Sequence, residues 1–162
     1  MKKKLLFLSC LVLIAISFTS CKSDLVHDEL LSYINEELPS ISELEDNVYI
    51  AYDRVSGENY TDDETMYYVI SNDVIPASDK LVQAAKNFSF TQESVKNVHE
   101  IYINAVSLQH EAFTIVLTAL EMQDLDQVAA ANEKFGLAEQ EMKKYISELE
   151  KLAGEHNVGL TD

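Results

Sequence analysis

The stretch from Thr91 to Met122 constrains the fold more than any other part of the chain. It contains neither proline nor glycine, and its apolar residues recur every three or four positions, which is typical of helix faces. One stripe contains Val95, Val98, Tyr102, Ala105, Ala112, Val116 and Ala119, and a second contains Ile103, Val106, Phe113, Leu117 and Leu120. Because this arc is wider than one neighbouring helix requires, we predict an all-α fold, an antiparallel (up-down) bundle of about four helices with this helix at its centre.

The same spacing of apolar residues continues on both sides of the central stretch. It predicts a first helix over about Asp24 to Val55 and a second over about Asp62 to Asn87. Because proline lacks an amide hydrogen and clashes with the preceding turn, we expect a kink or a short break at Pro39 and Pro76. A last helix is predicted over about 125–153. Its inner face is predicted to contain Leu125, Val128, Phe135, Met142, Ile146, Leu149 and Leu152.

Polar residues and glycine mark the helix ends. Gly57 suits a left-handed cap after the first helix. The run Thr61-Asp62-Asp63-Glu64 predicts a capping box, in which the Thr61 hydroxyl accepts from the third amide and Glu64 reaches back. A calcium loop would need further oxygen ligands at regular spacing and a central glycine, so this run does not predict one.

The first 20 residues are typical of a secretory leader. Three lysines at positions 2–4 precede an apolar run over residues 5–18. As a helix, that run would cover about 21 Å, which is short of the roughly 30 Å hydrocarbon core of a bilayer.

The leader ends in Phe18-Thr19-Ser20-Cys21, which resembles the lipobox of bacterial lipoproteins at Thr19, Ser20 and Cys21. Phe18 stands where that motif usually has a leucine-like residue. The resemblance implies a signal peptide over 1–20 and an acylated Cys21 that tethers one helical domain, 21–162, outside the cytoplasmic membrane. It covers the leader only and implies a location, not an activity. An ordinary leader cleaved nearby, or an uncleaved anchor, are the alternatives.

Cysteine content and charge are consistent with export. Cys10 and Cys21 are the two cysteines, so the chain beyond Cys21 has no disulfide and must be stabilised by packing. The whole chain has a net charge of -16; removal of the leader leaves 9 basic and 28 acidic residues, a net charge of -19. A surface this acidic repels phosphate backbones, which disfavours nucleic acid as a partner.

A polar layer in the middle of the bundle is the sharpest hypothesis for chemistry. Counting from the turns places Glu45, Asp73, Gln109 or His110, and Glu139 at similar heights, and bundles build metal sites from such layers. Glu45, His110 and Glu139 are the three candidate ligands. The paired Glu-x-x-His motif of di-iron bundles is absent, and Glu45 and Glu139 can instead turn to the rim. We predict no metal, no cofactor and no catalytic residue, and keep these three residues as candidates. His99 and His110 are expected at contacts between helices.

Tyrosines cluster around the predicted first hairpin. Tyr60, Tyr67 and Tyr68 form the candidate recognition surface, since tyrosine joins a large apolar area to a polar tip. Packing between the first two helices explains most of the cluster equally well, which leaves the loop at Tyr60 as the best candidate.

These features favour a non-enzymatic, membrane-anchored lipoprotein that binds another protein or the cell wall. An immunity or inhibitor role fits the same features, although nothing in the sequence selects it. The alternative is a metal-binding protein or enzyme that uses the layer of Glu45, His110 and Glu139.

Overall fold

A computed structural model describes residues 24–160, and these residues form helices and short connections. The α-helices are α1 (Leu25–Ser32), α2 (Leu38–Asp53), α3 (Asp63–Val69), α4 (Ile75–Lys86), α5 (Glu93–Met122) and α6 (Leu125–Glu155). A π segment, Tyr33–Glu37, joins α1 to α2 as the first rod, and a second π segment, Ile70–Val74, joins α3 to α4 as the second rod. Residues 24–160 contain no strand, which confirms the prediction of an all-α helical bundle. The predicted leader and Cys21 lie outside the described residues.

Each proline lies at the second position of an α-helix, directly after a π segment. The amide of Leu38, just before Pro39, donates to the Tyr33 carbonyl five residues earlier. The amide of Ile75 donates to the Ile70 carbonyl in the same way. The wider π turn accommodates a proline that has no amide to donate, so the chain stays helical and the break that was one of the two predicted outcomes does not occur.

Helix α5 contacts more elements than any other helix among the described residues, since α1, α3, α4, α6 and the second π segment all pack on it. Its buried residues are Val95, Val98, His99, Tyr102, Ala105, Val106, Ala112, Phe113 and Ala119. The predicted central position of this helix is therefore correct. Wide apolar stripes on a helix require such multiple neighbours.

Buried alanines lie on both α5 and α6, the two longest helices, which share the most extensive contact in the described chain. On α5, Ala105, Ala112 and Ala119 are buried at intervals of seven residues, and on α6, Ala131 and Ala138 continue the same interval. We call these five residues the alanine ladder. Small side chains let two helix backbones approach closely, so the alanine ladder favours close packing of α5 and α6.

The inner face of α6 differs from its prediction. Leu125, Val128 and Ile146 were expected inside, but they are 82%, 44% and 48% exposed. The buried positions are Ala131, Ala138, Tyr145, Leu152 and Ala153. Leu152 is buried and Phe135, Met142 and Leu149 pack against the core, so the prediction is correct at these four positions and wrong at the other three. The pattern of large apolar residues did not indicate the buried alanines or Tyr145.

The proximal end of the bundle, where α5 begins, is closed by side chains from the start of the described chain. Both carboxylate oxygens of Glu29 accept from backbone amides, that of Thr91 at 2.7 Å and that of Gln92 at 2.6 Å. Burial raises the pKa of Glu29, but these donors outweigh it and the pKa is lowered overall. Glu29 of α1 therefore fixes the two residues that lead into α5. Nearby, Nδ1 of His156 lies 2.7 Å from Oδ2 of Asp24.

Helix starts follow local capping chemistry, with one correction. Asp24 and Asp124 accept from the first amides of α1 and α6. At α3, the cap is Asp62, whose Oδ1 accepts from the Thr65 amide at 2.8 Å, so the capping box predicted for Thr61 and Glu64 is wrong by one residue. A carboxylate is a stronger acceptor than a hydroxyl and also suits the positive end of the helix dipole. Within residues 24–160, no helix has the length and apolar character to span a bilayer.

Candidate recognition site

A cavity of about 270 Å³ lies at the distal end of the bundle, where α5 ends. Residues from α2, α3, α5 and α6 line it, and most of the lining is apolar. The apolar lining comprises Tyr52, Met66, Val116, Ala119, Leu120, Leu125, Val128, Ala131 and Phe135. We call this space the distal cavity. An apolar concavity with a few polar groups at its mouth is the usual form of a binding site.

Three polar residues at the mouth hold one another in place. The Tyr60 hydroxyl donates to Oδ1 of Asp63 at 2.8 Å, and Nε2 of Gln123 donates to Oδ2 of the same carboxylate at 3.1 Å. The hydrogen bond to Asp63 raises the pKa of Tyr60. Asp63 therefore ties the loop after α2 to the turn after α5, across the mouth of the cavity.

The turn between α5 and α6 exposes apolar side chains beside the cavity. Gln123 adopts a left-handed conformation with φ of 52° and caps α5, and Asp124 then caps α6. This tight reversal leaves Met122 68% exposed and Leu125 82% exposed. Exposed apolar residues that adjoin a cavity, rather than lying singly, are typical of interaction surfaces.

Of the three tyrosines in the predicted recognition surface, Tyr60 lines the cavity, while Tyr67 and Tyr68 lie outside it. The Tyr67 hydroxyl donates to Oε1 of Glu121 on α5 at 3.1 Å, which raises the pKa of Tyr67. The Tyr68 ring is 57% exposed and packs edge-on against Tyr67, with ring centroids 5.9 Å apart. Tyr67 therefore serves the contact between helices, and Tyr60 is the one that remains at the cavity.

Acidic residues are abundant in the two stretches of chain that contribute to the mouth of the distal cavity, and Asp63 and Asp124 line the cavity itself. Over residues 54–68 and 119–132, the chain has seven acidic residues and one basic residue. The acidic ones are Glu58, Asp62, Asp63, Glu64, Glu121, Asp124 and Asp126. The basic one, Arg54, forms an ion pair with Asp73 of the second π segment. The field at the mouth of the cavity is therefore strongly negative.

The residues of the predicted metal layer have separate partners. Oε1 of Glu45 accepts from the Tyr102 hydroxyl at 2.7 Å, and Nδ1 of His110 lies 2.8 Å from the Ser78 hydroxyl. Glu139 is exposed and pairs with Lys143, which lowers its pKa. Residues 24–160 contain no group of three or more His, Cys, Asp or Glu side chains arranged to hold a metal ion. The structure does not bring this layer together.

A buried polar network near the proximal end was not predicted from the sequence. The Tyr33 hydroxyl lies 3.0 Å from Nδ1 of His99 and 2.9 Å from the Tyr145 hydroxyl, and Nε2 of His99 lies 2.8 Å from the Ala85 carbonyl. His99 is 2% exposed and contacts the rings of Phe88 and Phe90. We call Tyr33, His99 and Tyr145 the proximal network.

The geometry of the proximal network determines which atom donates and which accepts in each of its hydrogen bonds. Nε2 of His99 faces a carbonyl, so this nitrogen carries the hydrogen. Burial lowers the pKa of His99, which keeps the ring neutral, so Nδ1 accepts from Tyr33, and Tyr33 accepts from Tyr145. Burial also raises the pKa of Tyr145 to about 12. Since each group has its partner inside the core, the network is a structural unit.

Comparisons with known proteins give no relative on which to base a function. No family model, curated protein or solved structure matches the chain significantly.

Proposed function

We propose that this protein is an extracytoplasmic lipoprotein, anchored through an acylated Cys21, whose distal cavity binds a protein or cell-wall partner without catalysis. One observation carries the proposal: the cavity lies at the end of α5 opposite to the end where the described chain begins. A 30-residue helix rises about 45 Å at about 1.5 Å per residue. A partner site at this position faces away from the membrane.

We further propose that the four rods run alternately up and down. Three contacts support this arrangement. Glu29 near the start of the first rod meets Thr91 just before α5. Tyr67, near the start of the second rod, meets Glu121 near the end of α5. Nδ1 of His27 lies 2.7 Å from the carbonyl of His156, just after α6. The first rod and α5 then point one way, and the second rod and α6 the other.

A role in binding rather than catalysis is supported by the polar groups at the cavity. Asp63 accepts from Tyr60 and Gln123, and Asp124 accepts from the first amides of α6. A catalytic base or nucleophile needs a poised partner that can exchange its proton with a substrate. Here the carboxylates organise the loops around the cavity.

Anchoring is tested at Cys21. We expect labelled palmitate to enter the wild-type protein and the protein to sediment with membranes, while Cys21→Ala loses the label because the thiol is the acylation site. Equal labelling of both proteins would overturn the proposed anchor. Cys10→Ala is the matched control, since Cys10 lies inside the leader.

The binding role is tested at Val128, which is 44% exposed and lines the cavity. Val128→Trp fills the cavity from its rim, and we expect it to abolish capture of the membrane or cell-wall partner that the wild-type protein retains in pull-downs. Leu137→Trp is the matched control, because Leu137 lies on the same helix at 41% exposure and outside the cavity. Equal capture by wild type and Val128→Trp would contradict a role for the cavity.

A further inference from the structure

We propose that the occupant of the distal cavity is a cationic protein segment, which inserts one apolar side chain into the cavity and places lysines or arginines against the acidic residues around it. This inference rests on the proposed binding role and specifies the chemistry of the partner.

The size of the cavity indicates a single side chain. A volume of about 270 Å³ lies just below the roughly 300–1,000 Å³ of pockets that enclose a whole drug-sized molecule. The lining rings of Tyr52 and Phe135, with ring centroids 5.8 Å apart, offer an aromatic wall to an inserted Phe or Leu. Buried aromatic or aliphatic anchors in such pockets supply most of the affinity at protein interfaces.

The apolar surface continues beyond the cavity, which favours a protein segment over a small molecule. Met122 is 68% exposed and Leu125 is 82% exposed, and Leu125 also lines the cavity. A ligand that filled only the cavity would leave these side chains in water. A peptide segment covers them with the residues on either side of its anchor.

Charge complementarity selects a basic partner. Seven acidic residues and one basic residue lie in the two stretches around the cavity, and Arg54 is paired with Asp73. An acidic or phosphate-bearing partner would be repelled, and so would a second copy of this chain, which has 9 basic and 28 acidic residues, a net charge of -19, without its leader. A cationic segment is attracted from a distance and held against Asp63, Glu121 and Asp124.

The probe is a synthetic lysine-alanine peptide with one central phenylalanine, titrated into the full-length protein in non-ionic detergent at physiological ionic strength. Its matched peptide has serine in place of phenylalanine. Burial of a phenylalanine predicts that the first peptide binds about tenfold more tightly or better. Any acidic protein attracts lysines, so the difference between the two peptides, not the affinity itself, reports on the cavity.

Two pairs of protein variants separate the anchor from the charges. With Val128→Trp, which fills the cavity, the affinity advantage of the phenylalanine peptide should fall to about twofold or less. With Leu137→Trp, which leaves the cavity open, the advantage of about tenfold should remain. The two peptides and the two proteins together form a double-mutant cycle. The double variant Asp63→Asn with Glu121→Gln should weaken both peptides several-fold. Asp46→Asn with Glu43→Gln removes two charges from exposed positions on α2 and should weaken them less.

Equal affinity for the two peptides in the wild type, or equal losses for the two charge variants, would overturn the proposal. If Val128→Trp still abolishes capture of the native partner, the binding role stands and only the cationic anchor is wrong. If the wild type self-associates and Val128→Trp does not, a second copy is the occupant, and the peptide proposal also fails.

Discussion

The proximal network and the distal cavity, at the two ends of α5, differ in which groups they bury and which they expose. At the proximal end, polar groups are buried and paired: Tyr33, His99 and Tyr145 are at most 6% exposed, and their polar atoms bond to one another or to the backbone. At the distal end, apolar groups are exposed: Met122 and Leu125 face solvent beside an open cavity. The same helix supports both.

This difference separates stability from recognition. A buried, fully paired network selects one register of three helices, because any other leaves a polar group unpaired in the core. An exposed apolar surface stabilises nothing in the free protein and gains energy only when a partner covers it. Substitutions in the proximal network should therefore lower the free energy of unfolding, whereas substitutions at the distal cavity should change binding.

Replacement of whole tyrosine side chains gives the largest expected contrast. Tyr33→Ala empties a core position that is 1% exposed, and we expect it to lower the free energy of unfolding by about 3–5 kcal/mol. Tyr60→Ala, at a position that is 47% exposed, should change it by about 0.5 kcal/mol or less. Urea unfolding followed by circular dichroism measures both. Similar losses for the two variants would remove the distinction between the ends.

Removal of the hydroxyl alone tests the hydrogen bonds. Tyr33→Phe leaves Nδ1 of His99 without a donor and the Tyr145 hydroxyl without its acceptor, so we expect a loss of about 1–3 kcal/mol. Tyr60→Phe removes one exposed hydrogen bond to Asp63 and is the matched control, with little expected change. A neutral Tyr33→Phe would mean that water satisfies the network.

The pH dependence of stability gives the smallest effect. Because the pKa of His99 is lowered from 6.5 in the folded protein, the unfolded chain binds the extra proton first as the pH falls. The contribution of neutral His99 is fully present above about pH 6.5 and is lost as the pH falls toward its folded pKa. The slope from one group is at most about 1.4 kcal/mol per pH unit.

His99→Gln, which keeps an amide to donate to the Ala85 carbonyl, should reduce this slope between about pH 7 and pH 5, as measured by urea unfolding at several pH values. His110→Gln is the control, because His110 bonds to Ser78 at a less buried position. Identical slopes in the wild type and His99→Gln would show that His99 is not the group that titrates.

Helix positions were predictable because they depend on local chemistry. The apolar stripe of α5 and the aspartate before α6 are each visible within a few residues of sequence. Gly57 has the expected positive φ, 57°, but it does not cap the first helix as predicted. Helix α2 ends at Asp53 with Arg54 as its cap, and Gly57 opens a short 3-10 turn, Gly57–Asn59. The error at the start of α3 was of the same local kind, since Thr61 and Asp62 are adjacent and both can cap a helix.

The proximal network was not predictable for a different reason. Tyr33, His99 and Tyr145 come from three rods that are distant in sequence, and Tyr33 lies in a π segment, where regular α-helical spacing does not hold. The metal layer of Glu45, His110 and Glu139 failed for the same reason, because counting from turns assumes straight helices with equal rises. Tyr60, in the first loop, lines the distal cavity. The cavity itself was not predicted, because it also requires residues of α6 that are distant in sequence.

The alanine ladder limits which residues the contact between α5 and α6 can accept. All five of its alanines are at most 8% exposed. A larger side chain at one of these positions displaces its neighbours, because protein interiors are close-packed. The rim of the distal cavity, where Val128 is 44% exposed, carries no such constraint. Sequence drift at that rim can therefore alter what the protein recognises while the packing between its two longest helices stays the same.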